Sequence, residues 1–277
     1  MRVHHLNAAT LCPMGARFVN GRGGFFQRAR LICHVLVAET NEGLVLVDTG
    51  LGTDDIAEPS RLGKRWIRQV SPRLDRAETV LAQIKTLGYA QTDVRHIIPT
   101  HLDKDHAGGL PDFPKAKVHI HRRELEAAVT HPTKASRDRY VRGHWSHGPD
   151  WQVFGDDGED WFGFEGVRPL EARESEILII PLPGHTSGHC GVAVRGEKVW
   201  FLHAGDAFFS GRQIETPQRA APVALGFFQR RTDTNRDQRK QNQERLRQLH
   251  ALHGNDVTII NAHDPELYDS CRSRLEL

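Results

Sequence analysis

The sequence predicts an α/β protein built in layers, with two β-sheets packed face to face and helices outside them. Two observations carry this expectation. Short apolar or alternating runs of strand length recur in both halves of the chain, and helical periodicities fall between them. In the first half the runs are Val35-Leu36-Val37, Leu44 to Val47, Arg95 to Ile98 and Lys117 to Ile120. The second half repeats the habit with Ile177 to Ile180, Gly191 to Val194, Val199 to Leu202 and Val257 to Ile260. Gly, Pro, Asn or Asp bound most of them. Glu42-Gly43 and Gly196-Glu197 sit between paired runs and are expected as hairpin turns.

Each expected helix has its own signal. Asp75 with Glu78 three residues on forms a carboxylate capping box, followed by Ala77, Val80, Leu81, Ile84 and Leu87 at helical spacing and Gly88 as terminator. A second helix is expected from Arg122 to Thr130. A third, strongly polar one should run from Arg236 to Leu252, with Leu246, Leu249 and Leu252 as its apolar side. The stretch 137–165 is different, with Tyr140, Trp145, Trp151, Trp161, Phe162 and Phe164 scattered among Gly, Asp and His. It is expected as an ordered, aromatic-rich loop insertion near the active site, offering an apolar acyl or aromatic group a place in the pocket.

Composition bounds the function classes. The chain has 277 residues, 38% hydrophobic and 26% charged, which suits a packed protein, expected here as a single domain over 1–277. A net charge of +2 demands neither nucleic acid nor an anionic membrane. The four cysteines are scattered and form no C-x-x-C pair, so reduced thiols and a cytoplasmic location are expected. MRVHHLNAAT has no apolar run of signal-peptide length. The expected partner is therefore a small-molecule substrate, with no nucleic acid and no membrane, and a homodimer stays open.

Chemistry concentrates after the Arg95 to Ile98 run, in Pro99-Thr100-His101-Leu102-Asp103-Lys104-Asp105-His106-Ala107-Gly108-Gly109. In an extended loop alternate residues face the same way, so His101, Asp103 and Asp105 can converge, with His106 added by a turn. Imidazole and carboxylate are ligands for Zn²⁺, Mn²⁺ or Fe²⁺. A solvated polar turn has the same composition, and a short motif alone does not decide. Further on, His185 follows Pro183-Gly184, Asp206 follows Ala204-Gly205, and His263 follows Asn261-Ala262. Each stands just beyond a strand run. Strand ends on one edge of a sandwich meet in space.

In this order the residues resemble the metallo-β-lactamase superfamily, with its H-x-H-x-D-H motif and later single His, Asp and His ligands. The likeness covers nearly the whole chain, from Leu46-Val47-Asp48-Thr49-Gly50 to Ala262-His263-Asp264. It looks closest to the lactonase-like branch that opens N-acyl-homoserine lactones. The resemblance implies a four-layer αββα sandwich with two divalent metal ions at one edge, Zn²⁺ foremost and Mn²⁺ or Fe²⁺ as alternatives. His101, Asp103 and His185 would hold the first ion, Asp105, His106 and His263 the second, and Asp206 would bridge them. Asp48 would orient ligands from behind, while His189, His203 and Asp264 are expected to be structural.

Two departures matter. Asp103 stands where the family has histidine, which shifts that site toward oxygen-loving metals. Phe209 stands where the lactonases carry a tyrosine three residues after the bridging aspartate, so no phenol is offered to a substrate carbonyl. The expected reaction is hydrolysis of an ester-like bond, most of all a lactone or carboxylic ester, by a hydroxide held between the metals. Asp105 is the candidate proton donor to the leaving oxygen. One alternative is a di-iron redox protein reducing oxygen or nitric oxide, although the stretch after His263 has no room for the usual flavin domain. The other is a nuclease or phosphodiesterase, kept open by the basic stretch Arg230 to Arg247.

Overall fold

The computed structural model describes residues 1–130, 138–170 and 176–275. Among these described residues twelve strands form two six-stranded sheets. The first, in the order β1 to β6, holds Val3–Leu11, Leu31–Thr40, Gly43–Val47, Val94–Ile98, Lys117–His121 and Asp150–Phe154. The second runs from β12 back to β7. Its members are Glu159–Trp161 (β7), Phe164–Pro169 (β8), Ile177–Pro181 (β9), Cys190–Arg195 (β10), Trp200–His203 (β11) and Val257–Ile260 (β12). All eight expected runs are strands, and both expected hairpins join antiparallel neighbours, β2 to β3 and β10 to β11. β3, β4, β5 and β6 are mutually parallel, as are β11 and β12.

Strand periodicity explains the layers. Along β2, Val35 and Val37 enter one apolar cluster while Leu36 and Ala38 enter another. The Leu36 side meets Val47 and Ile98 of its own sheet and Ile179, Val192 and Ile260 of the second, so this cluster is the seam between the sheets. The Val35 side packs under the helices Val80–Thr86 and Arg122–Thr130 through Val80, Ile84 and Ala128. On the far side of the second sheet, Leu202, Val257 and Ile259 pack with Leu246 and Leu249 of the helix Arg236–His253. Three apolar layers separate four structural ones, the expected αββα order.

Three local expectations are corrected. Asp75 caps only a 3₁₀ turn, Arg76–Glu78, and Thr79 caps the α-helix that follows by accepting from Ala82 N. Glu78 is drawn away from a capping role, because its carboxylate accepts from Thr10 N and Thr10 Oγ1 at 2.6 and 2.7 Å. Leu252 is 76% exposed, since six residues at ~100° each turn it far from Leu246. The aromatic stretch is no continuous loop. It contains β6, β7 and the start of β8, and carries the chain from the edge of one sheet to the edge of the other. Its start at Arg137 lies outside the described residues. Tyr140, Phe154 and Phe164 are buried in the apolar layers. Among the described residues, no helix is long and apolar enough to cross a membrane.

Candidate metal centre

The expected site residues stand just beyond strand ends. His101 follows β4, His185 follows β9, Asp206 follows β11 and His263 follows β12. The motif turns through one short helix, Lys104–Ala107, with Asp103 at its N-terminal flank. Thr49, just past β3, pins this turn by donating from both N and Oγ1 to His106 O, each at 2.8 Å.

Three sets of ligand atoms lie within 4.8 Å of one another among the described residues. They are His101, His185 and Asp206; His106, Asp206 and His263; and Cys33, Asp105 and His263. Asp206 belongs to two sets. Its Oδ2 lies 3.8 Å from His101 Nε2 and 3.3 Å from His185 Nε2. Its Oδ1 lies 3.5 Å from His106 Nε2 and 3.2 Å from His263 Nε2. Asp105 Oδ2 is 3.8 Å from His263 Nε2. Asp103 enters none of the sets. Its Oδ2 lies 3.4 Å from His101 Nε2 and 3.2 Å from His185 Nε2, and both its oxygens accept from Arg139.

The backbone and the residues behind the cluster hold it in place. Asp48 adopts a left-handed conformation at φ 62, which a short polar side chain tolerates. Its carboxylate accepts from Thr100 N at 2.6 Å and meets His106 Nδ1 at 2.8 Å. Thr100 Oγ1 in turn lies 3.0 Å from His101 Nδ1. His263 Nδ1 donates to Ile32 O at 2.8 Å. His189 donates from Nδ1 to Leu182 O and accepts Asp206 N at Nε2, so it orients the shared acid. His203 and Asp264 serve backbone contacts, to His34 O and from Gly211 N.

Residues missed in the sequence complete the frame. Glu124 is fully buried and accepts from Leu102 N, Gly188 N and Tyr140 OH, joining the two ligand loops. Its sequence signals, a carboxylate in the first turn of the helix expected from Arg122 to Thr130 and a place in a run resembling the lactonase-like branch, said nothing of a position behind the ligands. Cys33 and Arg139 carried no such signal, because each reaches the cluster from a distant stretch.

Electrostatics and unmet polar atoms test whether these residues fit a cation. His101 Nε2, His106 Nε2 and Asp206 Oδ1 are buried without a hydrogen-bond partner. Such atoms are costly unless something meets them. Burial alone would lower the His106 pKa, but Asp48 and Asp206 outweigh it and raise it to about 9. His263 moves well upward for the same reason, with Asp206 the main cause against burial. Burial would raise Asp206, yet His263, His106 and His185 hold it well below the ordinary carboxylate range. Around His106 and His263 the carboxylates of Asp48, Asp206 and Asp105 therefore supply the negative potential that a divalent cation would meet, whereas burial and Arg139 lower the pKa of His185. The residues fit.

Comparison with known proteins agrees. A profile of the metallo-beta-lactamase superfamily matches residues 28–251. The chain is 41% identical over 272 residues to the probable metallo-hydrolase Rv2300c of Mycobacterium tuberculosis, covering 98% of this chain and 83% of that protein. It is 30% identical over 200 residues to the N-acyl homoserine lactonase AttM of Rhizobium radiobacter, 71% of this chain and 68% of that protein. A structure of B. thuringiensis AiiA with N-decanoyl-L-homoserine at its active site superposes with a TM-score of 0.72. It spans 98% of this chain and 96% of that one at 20% identity, a likeness of fold. On its profile match, its identity to these relatives and its fold, this chain belongs to the metallo-β-lactamase superfamily.

Proposed function

We propose that this metal-dependent hydrolase cleaves a lactone or a carboxylic ester of a small molecule in the cytoplasm, using a dinuclear centre. Zn²⁺ is the ion that imidazole and carboxylate donors favour, with Mn²⁺ or Fe²⁺ admitted by the number of carboxylates. One observation carries the reading: donor atoms of His101, His106, His185 and His263 converge on the carboxylate of Asp206, with His101 Nε2, His106 Nε2 and Asp206 Oδ1 buried without a hydrogen-bond partner. The 30% identity to a protein named as an N-acyl homoserine lactonase supports a lactone as the substrate class.

Bound divalent ions would lower the pKa of water and polarise the acyl oxygen. The chain's own residues do the rest. Asp206 presents one oxygen to each half of the cluster and is fixed by His189, so the two halves share one rigid anion. Asp105, on the His263 side and less buried than Asp206, would take the proton released by the attacking water and pass it to the leaving alkoxide. The buried Phe209 ring packs 5.5 Å from His263 and 6.0 Å from His185, keeping water off that wall. It has no hydroxyl to orient a substrate, so that task falls to the ligand cluster. Phe209 continues into Val19, Leu225 and Phe228, and this apolar wall would receive the acyl part.

Replacing His106 or Asp206 with Ala should lower bound metal and cut lactone or ester turnover by roughly 100-fold or more. Metal analysis and a substrate panel on enzyme reconstituted with Zn²⁺, Mn²⁺ or Fe²⁺ provide the check. Full turnover by a metal-depleted double variant would end the hydrolase reading.

A further inference from the structure

Three of the four converging imidazoles are presented alike. His101, His106 and His263 each turn Nδ1 outward, to Thr100 Oγ1, Asp48 Oδ2 and Ile32 O at 3.0, 2.8 and 2.8 Å, and turn Nε2 inward. His185 breaks the pattern. Its Nε2 is the engaged nitrogen, 3.0 Å from Arg139 Nη1 and 3.2 Å from Asp103 Oδ2, while its buried Nδ1 has no partner. The same Arg139 Nη1 donates to both oxygens of Asp103, at 2.8 and 3.1 Å. Arg139 Nη2 is anchored elsewhere, on Thr232 O at the end of the helix Val223–Thr232.

A guanidinium stays charged at any working pH and has no lone pair to share. Here it stands against the nitrogen and oxygens that one ion of a pair would need. An imidazole nitrogen accepting from Arg139 cannot at once coordinate a metal, and two cations confined to the same anion repel each other. The other half is built differently. The ion pairs of His106, Asp206 and His263 all join imidazole to carboxylate. A carboxylate at position 103, unlike a neutral imidazole, is the partner a guanidinium needs.

We propose that Arg139 is the resident cation of the His101, Asp103 and His185 half-site. The chain then loads one divalent ion first, on His106, Asp206 and His263 with Asp105 beside them. A second ion enters only when the guanidinium leaves Asp103. This rests on the metal-centre reading above and makes its two halves unequal.

The test is a metal titration. Chelator-stripped wild type, Arg139→Gln and Arg139→Met would be titrated with Zn²⁺ and with Mn²⁺ by calorimetry. Elemental analysis after gel filtration counts the ions, and circular dichroism checks the fold. Wild type should bind one ion tightly and a second at least about tenfold more weakly, as Coulomb repulsion at this range requires. The neutral variants should tighten the second ion about tenfold or more and leave the first within about threefold. If both variants misfold, the stepwise wild-type isotherm still decides. Two ions of matching affinity in wild type, or a second ion no tighter in a folded neutral variant, would overturn the proposal. Failure of wild type and variants alike to bind any ion would overturn the metal-centre reading and the proposal together.

Discussion

Asp48 illustrates how much of this site is decided one atom at a time. Each of its carboxylate oxygens accepts from a different part of the ligand loop, Thr100 N on Oδ1 and His106 Nδ1 on Oδ2. Holding the proton on Nδ1 leaves His106 Nε2 as a donor toward a metal. Asn at this position keeps the left-handed backbone and one acceptor but aims an amide N–H₂ at His106. Asp48→Asn should therefore weaken metal binding by about 10- to 100-fold while the fold persists. Competition with a chromogenic chelator measures it, and unchanged affinity would show that Asp48 serves only the backbone. At the same scale, Asp48, His101, His106, His185 and His263 were legible as polar residues beside strand runs. Arg139 and Cys33 were not, because nothing local distinguishes an arginine or cysteine that folds into a cluster from one that does not.

At the scale of elements, the site depends on how tightly the chain turns after each strand. Gly205, between β11 and Asp206, has φ +52, and a Cβ there would lie 2.5 Å from His189 Nε2 and 2.9 Å from Thr100. Those two groups orient Asp206 and face His101. Gly205→Ala should cost on the order of 2 kcal/mol or more and also loosen metal binding, since both strain and collision act. Gly63 is the comparison. It has φ +85 and ψ 131 with nothing within 4 Å of a Cβ, so Gly63→Ala should cost about 1–3 kcal/mol of backbone strain without any collision and leave metal affinity alone. Thermal melts with and without metal separate the two. Equal effects at both positions would mean that strain alone matters. The eight strand runs were legible as short apolar or alternating segments bounded by turn residues. β1 and β6 to β8 were not, because polar residues interrupt their apolar ones and only pairing with a neighbour makes them strands.

At the scale of the molecule, one apolar seam holds the two sheets in register and thereby brings the two sets of strand ends together. Ile98 is fully buried in that seam, at the end of β4 and three residues before His101. Ile98→Ala should cost about 2–5 kcal/mol through the cavity it leaves. Urea unfolding measures that cost. It should also reduce retained metal, because His101 and His106 come from one sheet while His185, Asp206 and His263 come from the other. Val129, 51% exposed on an outer helix, should tolerate Ala within roughly 0.5 kcal/mol. A seam variant that loses stability but holds metal like wild type would separate the site from the core.

By itself the sequence determined the strands buried on both faces, the layered fold class and six of the seven residues that fall into ligand sets, because hydrophobic period and donor chemistry are written locally. It also marked Asp103 as a departure from its family. What Asp103 does was decided only by tertiary structure, which brings Arg139 onto it from the far side of the helix Arg122–Thr130 in sequence. Cys33, Glu124 and the aromatic stretch divided between two sheet edges belong to the same class. Their roles depend on which distant backbone they meet, and the energy of a buried contact between residues far apart in sequence leaves no periodic trace along the chain.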